Sequence, residues 1–146
     1  MATPVVDLYG KLPSIQSALK KNPNDGAANC GMARLEAARG NEDKAAALLK
    51  KAEAAKYAGP ELAKAYNGVG DRYQTDQKYD AAIGYFLKGK AASKNPEDAS
   101  YALVSAMSCY VSKRDMPNAK KYAKMVISLR GANPEYVGYA KQVVGG

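Results

Sequence analysis

Adjacent carboxylates are the side chains of this sequence that could carry out acid-base chemistry. Glu42-Asp43 and Glu97-Asp98 each place two of them side by side, and paired carboxylates can act as general acid and base. Both pairs lie where a helix is predicted to begin, and the helix dipole favours acidic residues there. The sequence has no histidine, the most common general base. We therefore predict that the protein is not an enzyme and has no catalytic residues.

The cysteines and glycines do not form a recognisable metal or phosphate motif. Cys30 and Cys109 are 79 residues apart, and no Cys-x-x-Cys pair is present, which excludes the usual zinc and redox motifs. Gly68 and Gly70 lie inside a predicted helix, whereas a phosphate-binding glycine loop follows a strand. Close packing of helices explains these glycines better. We predict no cofactor and no metal ion.

The charge of the chain raises the possibility of an anionic partner. It has 22 Lys and Arg against 14 Asp and Glu, a net charge of +8, together with 11 tyrosines. Lysines and aromatic rings together can bind nucleic acid by pairing with phosphates and stacking on bases. Most of the tyrosines recur at equivalent helical positions, however, which is typical of a packed core. We therefore do not expect a nucleic-acid partner, and we keep a basic surface for nucleic acid or membranes only as the third hypothesis.

The sequence leaves the cellular compartment open. No apolar run approaches the ~20 residues that a helix needs to cross a bilayer, so we predict no transmembrane segment. The first residues contain no basic segment followed by an apolar one, so we expect no signal peptide in this chain. A mature chain restarted with methionine would look the same. The cytoplasm and, after removal of a signal peptide, the periplasm are both compatible with this sequence.

A repeat is the clearest pattern in the sequence. Prolines recur at separations of 37, 36 and 38 residues, at Pro23, Pro60, Pro96 and Pro134. Residues between them repeat with a period of 37, namely Ala45, Ala82 and Ala119, and Tyr73 and Tyr110. A fixed period in this range is typical of stacked repeats, in which each unit buries its apolar face against its neighbours.

Each of these prolines is predicted to mark the start of a helix, because Asn or Gly precedes it and acidic residues follow. A second break follows about 15 to 20 residues later in each unit. The predicted helix pairs are about 24–39 with 42–57, about 60–75 with 78–93, and about 96–112 with 116–130.

The second unit has a recognisable pattern. Its residues are Tyr66-x-x-Val69-Gly70-x-x-Tyr73, then Tyr79, Ala82, Phe86 and Gly89. This pattern resembles the tetratricopeptide repeat, with small residues where two helices touch and aromatic residues around that contact. The first and third units keep the spacing with fewer matching residues, and Met107 stands where the family favours a small residue. The resemblance covers residues from about 24 to 131.

The resemblance implies an all-α fold, a right-handed superhelical stack of three helix-turn-helix repeats with a C-terminal capping helix. Residues 24–131 would form the repeats, at about 24–59, 60–95 and 96–131, and residues 132–146 would form the capping helix. Residues 1–23 would form an N-terminal arm and a short capping helix around Leu12, Ile15 and Leu19. We expect Pro13 to keep that helix short, with Thr3 to Tyr9 as the arm.

The family also implies where a partner would bind, because its first helices line a concave groove that holds a peptide or a partner helix. Carried over by repeat position, the candidate binding residues are Arg34, Lys64, Asn67, Asp71, Gln74, Tyr101, Ser105 and Ser108. Amide side chains could bond a peptide backbone, and Tyr101 could serve as an aromatic anchor. These residues could equally be exposed positions without a role. The leading hypothesis is a non-enzymatic adaptor that binds a peptide or protein.

The second hypothesis is self-association. An incompletely capped stack can pair with another copy, either end to end or by inserting its arm into a groove. Val5, Val6 and Leu8 are the residues that such an arm would insert.

Overall fold

The computed structural model describes residues 6–146, with side chains from residue 7 onwards. That part of the chain forms eight α-helices and no strand, which confirms the predicted all-α class. The helices are α1 Val6–Lys21, α2 Gly26–Ala38, α3 Glu42–Ala54, α4 Glu61–Thr75, α5 Tyr79–Ala92, α6 Pro96–Ser112, α7 Met116–Ser128 and α8 Pro134–Gly145. None of these helices is both long and apolar enough to cross a membrane.

Polar side chains cap four of these helices at their N-termini. Asp25, Asn95, Asp115 and Asn133 each accept a hydrogen bond from a backbone N–H in the first turn that follows. Such caps satisfy amide groups that have no partner inside the helix. The start of α4 has no side-chain cap, and its position follows Pro60, as the sequence predicts.

One turn geometry recurs three times with a spacing of 37 residues. Gly40, Gln77 and Arg114 all have positive φ, of 89°, 61° and 60° respectively. The residue after each one donates its N–H to a carbonyl oxygen five residues back, at 2.8 to 2.9 Å. This is the hydrogen-bond pattern that ends a helix with a left-handed residue. The turns after α2, α4 and α6 therefore have the same conformation, although only the first contains glycine.

Contacts between helices divide the fold into two layers. Helices α2, α4, α6 and α8 touch one another in succession, and we call them the even layer. Helices α3, α5 and α7 form the second layer, in which each helix contacts the even-layer helices before and after it in the sequence. Helix α1 packs against α2 alone among the described helices.

Small residues allow these layers to pack closely. A Cβ atom at Gly70 would lie 2.7 Å from the ring of Phe86, so α4 and α5 can approach only because Gly70 has no side chain. Phe86 and Ala82 are both fully buried at this contact. The aromatic rings around it include a stacked pair, Tyr73 and Tyr85, whose ring centroids are 5.2 Å apart.

Helix α1 is longer than the sequence analysis predicts. It begins at Val6 and continues through Pro13, so the segment from Val6 to Tyr9 is helical. Proline removes one backbone hydrogen bond from a helix, but Leu8 is only 5% exposed and its burial stabilises the first turn. Because Leu8 is buried in its own chain, it is not available for insertion into another copy. Residues Thr3 to Val5 of the predicted arm lie outside the described residues.

Candidate functional site

The eight predicted binding residues all lie in the even layer. Arg34 is on α2, and the others belong to α4 and α6. The structure brings most of the α4 and α6 residues together in pairs across one helix contact. We call this contact the polar seam; it comprises Lys64, Asn67, Asp71 and Gln74 of α4 with Asp98, Tyr101 and Ser108 of α6.

Asp98 is the centre of the first part of the polar seam. Its carboxylate lies 2.8 Å from the Lys64 ammonium nitrogen, and its backbone carbonyl accepts a hydrogen bond of 3.2 Å from the Asn67 side chain. Asp98 also accepts a hydrogen bond from Asn95, the cap of α6. Asn67 has no exposed surface. These bonds connect the start of α6 to the middle of α4.

Asn67 leaves one buried polar atom without a hydrogen-bond partner. Its side-chain oxygen has none among the described residues and faces Gly89 of α5, where a Cβ atom would overlap it. An unpaired buried oxygen costs free energy, and the close approach of Gly89 leaves little space there. The Asn67 side chain therefore joins α4 to α6 through its nitrogen and packs on α5 through its oxygen.

Asp71 and Tyr101 form the second part of the polar seam. The Tyr101 hydroxyl donates to the Asp71 carboxylate, at 2.6 and 2.7 Å from its two oxygens. Burial raises the pKa of Asp71 to about 6, although the hydrogen bond from Tyr101 opposes this rise. The same burial, together with the Asp71 charge, raises the pKa of Tyr101. The Tyr101 ring also meets Tyr136 of α8 edge to face, with ring centroids 6.0 Å apart.

The remaining predicted residues of α4 and α6 are Gln74, Ser105 and Ser108. Gln74 donates a hydrogen bond of 3.3 Å to the Ser108 hydroxyl. Ser105 is 8% exposed and lies one helical turn after Tyr101 on α6. Six predicted residues thus contact another seam residue, and the sequence pattern had no signal for this pairing because partners such as Gln74 and Ser108 lie 34 residues apart.

Arg34 lies on the other side of α4 from the seam. Its side chain is only 4% exposed, and one guanidinium nitrogen is 3.9 Å from the Glu61 carboxylate. Burial lowers the pKa of Arg34, and Glu61 partly restores it. A Cβ atom at Gly68 would lie 3.4 Å from Arg34 Cγ, so this side chain extends over the glycine.

An open cleft of about 280 Å³ lies between α2 and α4. It is lined by Arg34, Ala37, Ala38, Gly68, Asp71, Arg72 and Thr75. Two of these, Arg34 and Asp71, are predicted binding residues. They are separated by 37 residues, and so are Ala38 and Thr75. The repeat spacing thus selected Arg34 and Asp71 in the sequence analysis, which did not include Ala38 and Thr75.

A larger groove of about 470 Å³ lies between α1 and α2, and we call it the α1–α2 groove. It is lined by Leu8, Lys11, Ser14, Ile15, Ala18, Asp25, Ala27, Ala28, Gly31 and Glu61. Most of its exposed lining is apolar. Sequence reasoning missed it because residues up to Tyr9 were expected to form an arm rather than a helix.

The described residues have little capacity for covalent chemistry. Cys30 and Cys109 are fully buried, and burial raises the pKa of each thiol to about 12. A thiol with such a pKa stays protonated near neutral pH and is a poor nucleophile. The part of the chain that the structure describes contains no group of three or more Cys, Asp or Glu side chains that could hold a metal ion.

Comparisons with known proteins leave the function to be inferred from this geometry. No model of a protein family matches the chain, and no match was found among the curated proteins or the solved structures.

Proposed function

We propose that this protein is a non-enzymatic adaptor, built from tetratricopeptide-like repeats, that binds a peptide or protein partner on the even layer. The observation that carries the proposal is the open cleft between α2 and α4, whose lining combines small residues with charged groups. The identical turns after α2, α4 and α6 support the repeat assignment.

The lining of the cleft is compatible with an extended segment of a partner. Ala37, Ala38 and Gly68 occupy little volume and leave space for a peptide main chain. Arg72 on the α4 wall pairs with Asp76 through Nε and Nη2. Its remaining guanidinium N–H groups can donate hydrogen bonds to carbonyl or carboxylate oxygens of a partner. The net charge of +8 favours encounter with acidic partners.

The polar seam has a different role in this proposal. The side chains of the seam form hydrogen bonds with one another. To contact a partner, each of them would first have to break a hydrogen bond within the protein. Lys64, Asn67, Gln74 and Tyr101 thus hold α4 against α6 and set the position of the α4 wall of the cleft. We propose that the partner contacts the residues of the cleft directly. Asp71 belongs both to the cleft and to the polar seam, and it remains a candidate binding residue.

The test uses exposed positions of the cleft, because substitution of buried Arg34 or Asn67 would disturb the fold first. Peptides are selected from a random displayed library against the wild-type chain, and their affinities are measured by isothermal titration calorimetry. Ala38 is exposed at the edge of the cleft, so Ala38→Glu should fill the cleft and repel acidic peptides. We expect at least a tenfold loss of affinity, or about 1.4 kcal/mol.

Ala47→Glu is the matched control, because Ala47 is an exposed alanine of α3 in the other layer. It should leave the affinity of the selected peptide unchanged. Circular dichroism verifies that both variants are folded. Failure to select any peptide, or equal binding by Ala38→Glu and Ala47→Glu, would refute the proposed site.

A further inference from the structure

The first and last helices have complementary positions in the repeat. Leu8, Leu12 and Ile15 of α1 lie 37 residues before Ala45, Leu49 and Ala52 of α3. Each repeat unit consists of a first and a second helix. Helix α1 therefore corresponds to the second helix of a unit, as α3, α5 and α7 do.

Helix α8 has the opposite position. It begins at Pro134, the last of the repeating prolines, and so corresponds to the first helices α4 and α6. The described part of the chain thus begins with the second helix of one repeat and ends with the first helix of another.

Helix α1 lacks the neighbour that the other second-position helices have. Helices α3, α5 and α7 each pack between two even-layer helices, whereas α1 contacts α2 alone among the described helices. The difference is visible in burial: Leu49 is 1% exposed, but Leu12, at the same repeat position, is only partly buried. The α1–α2 groove lies where a preceding first helix would pack.

The face of α2 in this groove is made of small residues. Ala27, Ala28 and Gly31 line it, and a Cβ atom at Gly31 would meet only the end of the Ile15 side chain, at 2.9 Å. Gly68, at the equivalent position of α4, is instead covered by Arg34 of the preceding first helix. Ala28 and Gly31 are buried, while Ala27 is exposed. Alanine at this exposed position leaves space for a bulky side chain from a neighbouring even-layer helix.

Helix α8 exposes a bulky side chain on the face where a following first helix would pack. Tyr139 is 40% exposed, and it lies 38 residues after Tyr101, the same separation as between Pro96 and Pro134. Tyr101 packs against Tyr136 of α8.

We propose that α8 of one copy packs into the α1–α2 groove of a second copy, head to tail, with Tyr139 against the exposed Ala27. The two half-repeats then complete one another, and the even layer continues from copy to copy. Each copy uses two different surfaces, so the contact is heterologous and extends into longer assemblies rather than closing as a symmetric dimer. This proposal needs only the two ends of the layer, so it and the proposed cleft for a partner can fail separately.

The test compares single variants with their mixture by analytical ultracentrifugation over a wide concentration range. The weight-average mass of the wild type should rise with concentration beyond that of a dimer. Ala27→Glu places a charge in the groove, and Tyr139→Glu removes the aromatic side chain from α8. Both positions are exposed, so the variants should remain folded by circular dichroism. Each variant alone should be a monomer.

The mixture is decisive because each variant retains one working surface. Ala27→Glu keeps α8 intact and Tyr139→Glu keeps the groove intact, so an equimolar mixture should form a one-to-one complex and nothing larger. Ala47→Glu, the control, should associate like the wild type. A wild type of constant monomer mass, self-association of either single variant like the wild type, or a mixture that stays monomeric would overturn the proposal.

Discussion

The polar seam between α4 and α6 and the α1–α2 groove are both contacts of an even-layer helix, but they differ in how completely they are filled. In the seam, side chains such as Lys64 and Asp71 meet partners from the next even-layer helix. In the groove, the corresponding neighbour is missing among the described helices, and apolar side chains such as Ile15 line an open space. The position of a residue in the repeat therefore predicts which type of side chain is present. Whether that side chain is buried depends on whether a neighbouring helix packs against it.

The largest expected effect comes from two leucines at the same repeat position. Leu49→Ala should lower the free energy of unfolding by about 3 kcal/mol, because it leaves a cavity in a fully packed site. Leu12→Ala should cost about 1 kcal/mol, because Leu12 is only partly buried. Urea denaturation at low protein concentration measures both values. Equal losses would mean that α1 is as fully packed as α3 and would remove the difference between the two regions.

The second prediction concerns the pH dependence of the seam. The pKa of Asp71 in the folded protein is about 6, above its ordinary value near 3.9 in an unfolded chain. Because the folded state binds this proton more tightly, Asp71 should lower the free energy of unfolding as the pH rises from about 4 to about 7, by roughly 2–3 kcal/mol. Asp71→Asn should remove this decrease, while Tyr101→Phe should move it to higher pH by removing the hydrogen bond to the carboxylate.

Urea denaturation across this pH range checks the prediction when the wild type and Asp71→Asn are compared. Asp115→Asn is a control, because the contribution of Asp115 to stability should change with pH in the opposite direction. Hydrogen bonds from Asn118 lower the pKa of Asp115, so the stability that it contributes is lost as the pH falls rather than as it rises. Parallel pH curves for the wild type and Asp71→Asn would show that Asp71 ionises normally.

The third prediction uses glycines to compare how rigid the two regions are. Gly89→Ala should cost about 2 kcal/mol, because its Cβ would overlap the buried Asn67 side chain. Gly31→Ala in the groove should change stability by less than about 0.5 kcal/mol, because only the flexible end of Ile15 has to move and alanine favours the helix. Gly84→Ala, which meets nothing within 4 Å in the same helix as Gly89, should be stabilising.

Thermal and urea denaturation rank these three glycine variants. Combining Gly89→Ala with Asn67→Ala should recover part of the loss, because the overlapping amide is removed. An equal cost for Gly31→Ala and Gly89→Ala would show that the α1–α2 groove is as tightly packed as the seam.

The smallest effect is expected for the Gln74–Ser108 hydrogen bond. Its length of 3.3 Å and partial burial predict a coupling energy of about 0.5 kcal/mol in a double-mutant cycle with alanine. Gln74 and Gln142, which lie on α4 and α8, should show additive effects in a parallel cycle. Coupling of Gln74 to Gln142 as strong as that to Ser108 would mean that the measured energy does not come from this contact.

The helices were largely predictable because their boundaries depend on local chemistry. Asn95 and Asn133 cap the helices that their prolines predict, and a cap needs only residues within one turn. The beginning of α1 was not predictable, because Pro13 suggests a break and the burial of Leu8 against other elements opposes it. The pairing of Tyr101 with Asp71 could not be predicted either, since it depends on how α4 and α6 are placed side by side.

The sequence by itself determined the period, the places where the helices after α1 begin and end, and the small residues at which helices meet. These properties follow from interactions between residues close in the chain, or from a spacing that repeats along it. The tertiary structure alone decided which polar side chains of the seam pair and which surfaces stay open, because those outcomes depend on contacts between residues 30 or more positions apart. For this reason Lys64, Asn67 and Gln74 form internal contacts, while Ala27 and Tyr139, on the first and last helices of the even layer, remain exposed.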